Sequence, residues 1–220
     1  LQLYAHPFSS YCQKAIIALY ENATPFELRM LRFGPDADER IAAEFAALWP
    51  LQRMPVLVDA GRPVMEATII IEHLQRFHPG RVRFVPEDAR AALDVRMMDR
   101  FFDNYVMTPM QEIVFDAIRK PEVRDPEGVG EARALLDTAY RWLDGQLAGR
   151  EWAAAGAFSL ADCAAAPALL YADWVHPIAP DHGRVRDYRR RLLARPSYAR
   201  AIEEARPYRA AFPLGDPGRD

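Results

Sequence analysis

The residues with the most chemistry for their spacing are Ser9-Ser10-Tyr11-Cys12. They follow a short apolar run and open a helical pattern, where backbone N–H groups and the helix dipole favour an anion. Thiol redox domains place Cys-x-x-Cys at such a junction. Here the first position is Ser9 and only Cys12 is sulfur, so a dithiol cycle is impossible at this site. A hydroxyl in that place can instead donate a hydrogen bond to a thiolate that arrives with a ligand. A free thiol titrates near about 8.5, and each unit of depression corresponds to about 1.4 kcal/mol. One charge-assisted hydrogen bond, about 1.5–3 kcal/mol, supplies roughly one to two units. Ser9 or Ser10 also serves as a plain helix cap, and the segment alone leaves both roles open.

Two further segments have ligand-binding character. In Met54-Pro55-Val56, a cis Met54–Pro55 bond would open the Met54 N–H and C=O to a peptide-like ligand added as a strand; an ordinary trans turn is the alternative. Glu66-Ala67-Thr68 starts another helical pattern. Its N–H groups and the Thr68 hydroxyl can hold a carboxylate and Glu66 an amine, which together suit an amino-acid head group; plain capping explains the same residues.

These segments must be positioned by alternating elements. Residues 1–4 read as a strand. Ser10 and Gln13 have capping-box spacing ahead of a helix that carries Ala15, Ile16 and Leu19 on one face. Residues 26–30 alternate like a half-buried strand, 38–48 are helical, and 54–58 and 63–65 are strands about an Asp59–Arg62 turn. Residues 68–77 are helical, with Ile70, Ile71 and Leu74 apolar. The order is β-α-β-α-β-β-α. After His78-Pro79-Gly80 the strand signals vanish. The pattern predicts a long helix over 88–118 kinked at Pro109, then helices over 129–147, 159–174, 184–194 and 197–205, the 159–174 helix being apolar enough for a core. The expected organisation is an α/β domain at 1–78, a linker at 79–87 and an all-helical domain at 88–220.

Composition narrows the function. The chain has 220 residues and a formal charge of −3, which argues against a nucleic-acid binder. No apolar run is long enough to span a bilayer and no signal peptide is visible, so no membrane partner is expected. Two distant cysteines, Cys12 and Cys163, form no disulfide framework and suit a reducing cytoplasm. The five histidines lack HExxH or paired-cysteine spacing, so no metal is expected, and no glycine-rich nucleotide loop occurs.

Tyr4, Pro7, Ser9 and Cys12, followed by Lys14–Leu19, then Met54-Pro55-Val56-Leu57, Met65–Leu74, and Phe158-Ser159-Leu160-Ala161-Asp162, stand in an order and register that resembles the glutathione S-transferase superfamily, in its serine-type theta/zeta-like members. The resemblance covers nearly the whole chain. It implies a thioredoxin-like domain followed by a helical bundle, and a cytoplasmic homodimer in detoxification. Glutathione is the implied co-substrate, its γ-glutamyl end at Glu66, Ala67 and Thr68 and its cysteinyl backbone on Met54 beside Pro55. Its sulfur faces Ser9, or Ser10 in a shifted register, and Arg53 meets its glycine carboxylate. The thiolate attacks a small hydrophobic electrophile; isomerase, dehalogenase or non-catalytic binding roles are the alternatives. Ala67 departs from the family's serine. Among Phe101, Phe102, Tyr105, Met107, Met110 and Phe115, most are expected in the core and some in the electrophile pocket. Cys12 and Cys163 are expected packed, and the arginines of 184–195 solvated.

Overall fold

A computed structural model describes residues 1–220. Strands β1 (Gln2–Ala5), β2 (Glu27–Met30), β3 (Val56–Asp59) and β4 (Arg62–Met65) form one sheet in the order β2-β1-β3-β4. The β1–β2 pair is parallel, joined through α1 (Ser10–Glu21); the β1–β3 and β3–β4 pairs are antiparallel. Helix α2 (Glu39–Leu48) covers a small cluster of Tyr4, Leu31, Phe45 and Val56, while α1 and α3 (Ala67–Phe77) sit in the main core. This is the expected βαβαββα layer of a thioredoxin-like domain.

From Ala89 the chain is helical: α4 (Ala89–Phe101), α5 (Thr108–Ala117), α6 (Pro126–Gln146), α7 (Leu160–Val175), α8 (Gly183–Leu193) and α9 (Pro196–Ala205). The single kinked helix expected over 88–118 is instead two helices joined by a π-helical segment, Phe102–Met107. Pro109 is the second residue of α5, and the carbonyl four residues before it, that of Tyr105, falls inside the π segment, so the irregular turn lies where a proline disturbs a continuing helix. The disturbance precedes the proline, and π-turns of this kind re-aim side chains at functional sites. A final 3₁₀ segment, Arg206–Ala211, lies beyond the last helix expected from the sequence.

One continuous apolar core joins the two halves, because α7 is buried on nearly every side and packs directly on α1. Small residues on both helices (Ala15 and Ala18, Ala164 and Ala168) permit the close approach. The segment between the halves is clamped by amides that mimic a strand. Asn22 Nδ2 donates to the Val82 carbonyl at 3.0 Å while Val82 N–H donates to Asn22 Oδ1 at 2.7 Å. Gln75 holds Val85 in the same way, at 2.9 and 2.8 Å.

The Ser159–Asp162 capping box forms as the motif suggests. Asp162 is fully buried and accepts from Ser159 N–H (2.8 Å), Ser159 Oγ (3.0 Å), Ala153 N–H (3.0 Å) and Tyr188 Oη (2.6 Å). By contrast Ser10 and Gln13 form no capping box. Gln13 Nε2 turns inward and donates to the Pro7 carbonyl (2.9 Å) and Tyr171 Oη (3.1 Å), so at zero exposure the amide nitrogen is satisfied within the core. Asp162→Ala strands four buried donors at about 1–3 kcal/mol each. We expect a loss of at least about 4 kcal/mol, read as a lower urea midpoint at unchanged slope.

Candidate functional site

Ser9 is the N-cap of α1, yet its side chain makes no capping bond. No acidic side chain stands in the first turn, so the positive end of the helix is unopposed. Ser9 is half-buried and lines three adjoining cavities at once. Ser10 is buried and lines only the apolar one.

The first cavity, about 590 Å³, is a polar cleft bounded by Ser9, Tyr11, Gln52, Arg53, Met54, Pro55, Glu66, Ala67, Arg100, Asp103, Asn104, Gln111 and Phe115. Six of the seven residues expected to hold a ligand therefore meet around one space. The Met54–Pro55 peptide is cis. Glu66 has φ 68° and ψ 121°, a conformation that a non-glycine residue holds only when its surroundings over-determine it, and such residues cluster at functional sites. Glu66 and Arg53 are both exposed and neither makes an ion pair, so each offers a free charge to the cleft.

Thr68 differs from the expectation. It does not line the cleft, and its hydroxyl is engaged behind it, accepting from Lys14 Nζ (2.9 Å) and Arg100 (2.6 Å) and donating to Asp99 Oδ2 (2.9 Å). The reason is a buried charge. Lys14 is 1% exposed and lies 2.6 Å from Asp99 Oδ1 and 2.8 Å from Asp103 Oδ2. Arg100 pairs with both aspartates from the rim. Two cations and two anions thus balance between α1, α4 and the π segment. Burial still pushes the Asp103 carboxyl up, against the pull of Lys14.

The other cavities are more apolar. One, about 240 Å³, lies between Phe8, Met110, Val114, Phe115, Tyr171, Phe212 and Pro213. The other, about 740 Å³, lies between His6, Phe8, Arg32, Phe33, Asp36, Met54 and Tyr208. Of the six aromatic and methionine candidates, Met110 and Phe115 reach a cavity; Phe101, Phe102 and Met107 are buried in the core, and Tyr105 is exposed. His6 accepts from Phe8 N–H at Nδ1 (3.1 Å), and burial lowers its pKa, so it is a neutral wall. Tyr4 turns away, its hydroxyl on Glu44 at 3.0 Å. Sequence spacing missed Tyr11, Arg100, Asp103 and the lining from Tyr208 to Pro213. Only adjacency to Ser9 could have suggested Tyr11, and the rest arrive through tertiary contacts.

A thioredoxin-like layer with an anion-favouring serine turn, roofed by helices that bring apolar space to the same hydroxyl, defines a class of protein that holds a small polar ligand beside a second, apolar one. Comparison with known proteins gives the family. Residues 3–82 match the model of the glutathione S-transferase N-terminal domain and residues 110–191 that of the glutathione S-transferase C-terminal domain. The chain belongs to the glutathione S-transferase family. It is 25% identical over 211 residues to a probable maleylacetoacetate isomerase of Vibrio cholerae, covering 94% of this chain and 97% of that one. It is 27% identical over 178 residues to glutathione S-transferase theta-1 of Bos taurus, covering 78% and 72%. A glutathione S-transferase of Methylobacterium radiotolerans, solved in complex with glutathione sulfonate, superposes with a TM-score of 0.78 at 25% identity, covering 91% and 93%.

The protein's own sulfur near this site is inert. Cys12, one turn from Ser9, has no exposure, and burial pushes its thiol up to about 12, against the pull of the Ser9 hydroxyl and the His6 backbone. Cys163 is equally buried, and burial raises its thiol as well. The thiolate is the reactive form, so neither cysteine is nucleophilic near pH 8. We expect iodoacetamide at pH 8 to label neither in the folded chain and both in urea, read by mass spectrometry.

Proposed function

We propose that this protein is a glutathione transferase in which Ser9 holds the glutathione thiolate. The observation that carries the reading is the Ser9 hydroxyl itself: at a helix N-terminus, free of capping duty, and at the meeting point of a polar cleft and two more apolar cavities. Glutathione fills the polar cleft. Its γ-glutamyl amine meets Glu66, its γ-glutamyl carboxylate the backbone N–H groups at Ala67 and Thr68, its cysteinyl backbone Met54 beside Pro55, and its glycine carboxylate Arg53. With alanine at 67 and the Thr68 hydroxyl engaged elsewhere, that carboxylate is held by backbone donors and the helix dipole rather than by side-chain hydroxyls. Ser9 suits the sulfur better than Ser10, which is more buried and does not reach the polar cleft.

In the reaction the thiol proton leaves to water. Ser9 Oγ–H donates to the resulting thiolate, and the positive end of α1 adds to its stability. The sulfur then forms a C–S bond to an electrophilic carbon of a small hydrophobic molecule held among Phe8, Met110, Phe115 and Phe212. The displaced electron pair leaves with the departing group or moves into the acceptor's π system. The Vibrio relative supports a second reading from the same site: the thiolate adds to a cis double bond, the bond rotates, and elimination returns glutathione unchanged.

The domain division at 1–78, 79–87 and 88–220 assigns glutathione to the first part and most of the electrophile pocket to the last. Cytoplasmic placement in detoxification suits two free, buried cysteines. No helix is long and apolar enough to cross a membrane. A homodimer suits the face between β4, α3 and α4, where Ile69, Phe77, Leu93 and Met97 are half or more exposed around a hollow of about 1270 Å³.

Ser9→Ala removes one charge-assisted hydrogen bond of about 1.5–3 kcal/mol. Conjugation of 1-chloro-2,4-dinitrobenzene should fall roughly 10- to 100-fold in kcat at pH 7, and the kinetic pKa of bound thiol should rise by about one to two units, with glutathione affinity by calorimetry nearly unchanged. Equal turnover in the variant removes Ser9 from the reaction. Leu93→Glu with Ile69→Glu should shift the sedimentation coefficient from dimer to monomer; a parent chain that sediments as a monomer refutes the dimer.

A further inference from the structure

Asp59, His73 and His78 converge at the end of the molecule away from Ser9's helix turn. Nε2 of His73 and Nε2 of His78 stand 2.8 and 2.7 Å from the same oxygen, Oδ2 of Asp59. One donor atom from each residue lies within 4.8 Å of the other two. The His73, His78 and Asp59 side chains are 11%, 32% and 21% exposed, so the cluster is mostly enclosed yet open to solvent along the His78 edge.

The backbone holds this arrangement independently of the histidines. Asp59 closes β3 just before a two-residue turn, Ala60-Gly61, with φ 48° and 82°, and pairs with Arg62 across the hairpin. His73 projects from α3. His78 is its C-cap, with N–H still bonded to the Leu74 carbonyl at 2.8 Å but φ and ψ of −133° and 54°. Five residues of continuous helix would set the two rings about 140° apart. The unwinding at His78 swings the second ring back to the first one's side. The following segment is fixed by the Asn22–Val82 clamp, and Gly80 passes so close that a Cβ there would stand 2.4 Å from Asn22. The exit path that aims His78 is therefore built by α1 and the linker.

We propose that Asp59, His73 and His78 bind one divalent transition-metal ion, of which zinc is the representative, and that the ion staples the β3–β4 turn to the end of α3. Two imidazole nitrogens and one carboxylate match zinc's ligand preferences and those of Co²⁺, Ni²⁺ and Cu²⁺, whereas Mg²⁺ and Ca²⁺ take oxygen donors. Bonds of about 2.0–2.2 Å at tetrahedral angles place donors about 3.4 Å apart. To admit the ion each nitrogen must move away from Oδ2 by about 0.6 Å, and the two nitrogens, within 4.8 Å of each other, must settle at the same spacing. A water on the open His78 edge completes four-coordination. On binding, each Nε2 loses its proton, to solvent from an imidazolium or by a tautomeric shift to Nδ1 in a neutral ring, and the ion takes the place of two N–H···O bonds. The site does not depend on glutathione, and none of its residues borders the Ser9 cavities.

Calorimetry of the full chain, stripped with chelator and titrated with ZnCl₂ and separately with MgCl₂, tests the proposal. One equivalent of Zn²⁺ should bind and raise the thermal midpoint, and Mg²⁺ at the same concentration should do neither. Co²⁺ should give the visible absorption of a four-coordinate site. His73→Gln with His78→Gln should weaken Zn²⁺ binding at least tenfold, and so should His78→Gln alone, whose exposed position leaves the His73–Asp59 bond intact and the fold undisturbed by circular dichroism. His176→Gln, at the other histidine–carboxylate pair (His176 Nε2 to Asp137, 2.7 Å), should leave binding unchanged. A parent chain with no one-to-one Zn²⁺ isotherm, or an isotherm retained in His78→Gln, overturns the site.

Discussion

A lysine ammonium with 1% exposure can exist in a folded chain only where opposite charge meets it, since an unpaired buried charge costs several kcal/mol. Lys14 therefore restricts how the two halves fit together. It rises from α1 in the first half, and its partners Asp99 and Asp103 come from α4 and the π segment of the second. Any docking that slides α4 along α1 breaks two close ion pairs together. The apolar contact of α1 with α7 supplies attraction but little direction, because a stripe of alanines tolerates sliding. The charges supply the direction. Arg195 adds a second fixed point, gripping Glu21 through both carboxylate oxygens at 2.6 Å from the far end of the same helix.

The consequences reach the cleft. Asp103 and Arg100 are at once members of the Lys14 network and walls of the polar cavity. The π segment that departs from regular α-helix is the segment that carries Asp103. Thr68, the second residue of α3, is tied to the same network, which anchors the helix start that follows the positive-φ Glu66. The strained backbone at Glu66 is thus held from behind by buried polar bonds, as an over-determined conformation must be. Cleft geometry and inter-half docking are set by one group of charges.

Local signals in the sequence were sufficient for the layer order and for most of the polar cleft. Helical and strand periodicity located all four strands and the helices to within a few residues, because each buries one face. Three loop segments carried six of the cleft's residues, since a ligand read by backbone and caps is read by contiguous chain. What spacing could not supply depends on contacts distant in the chain. Gln13 and the Thr68 hydroxyl look like surface caps in sequence and are claimed by the core once α7 and α4 arrive. The π segment has no periodic signature, so Pro109 signals an irregular turn in the helix but not its π-helical form. His73 and His78 are five apart, a spacing no regular helix turns to one side, and only the unwound cap brings them together on Asp59. The lining from Tyr208 to Pro213 comes from a tail without helical pattern.

The cysteine content acquires its meaning from this geometry. Two cysteines in 220 residues suggest only a reducing compartment. In the structure Cys12 stands one turn beyond Ser9, where a redox relative would keep its second thiol, yet it faces the core rather than the cleft. Burial raises its pKa, while the helix terminus that would have lowered it is left to whatever occupies the cavity beside Ser9. A serine there cannot form a disulfide and cannot be the thiolate, but it can donate to one. A protein with an anion-stabilising turn, a hydroxyl that does not cap its helix and no accessible thiol of its own is suited to a thiolate that comes and goes with its ligand. That lets the reacting sulfur leave with each product, so the protein needs no reductant between turnovers.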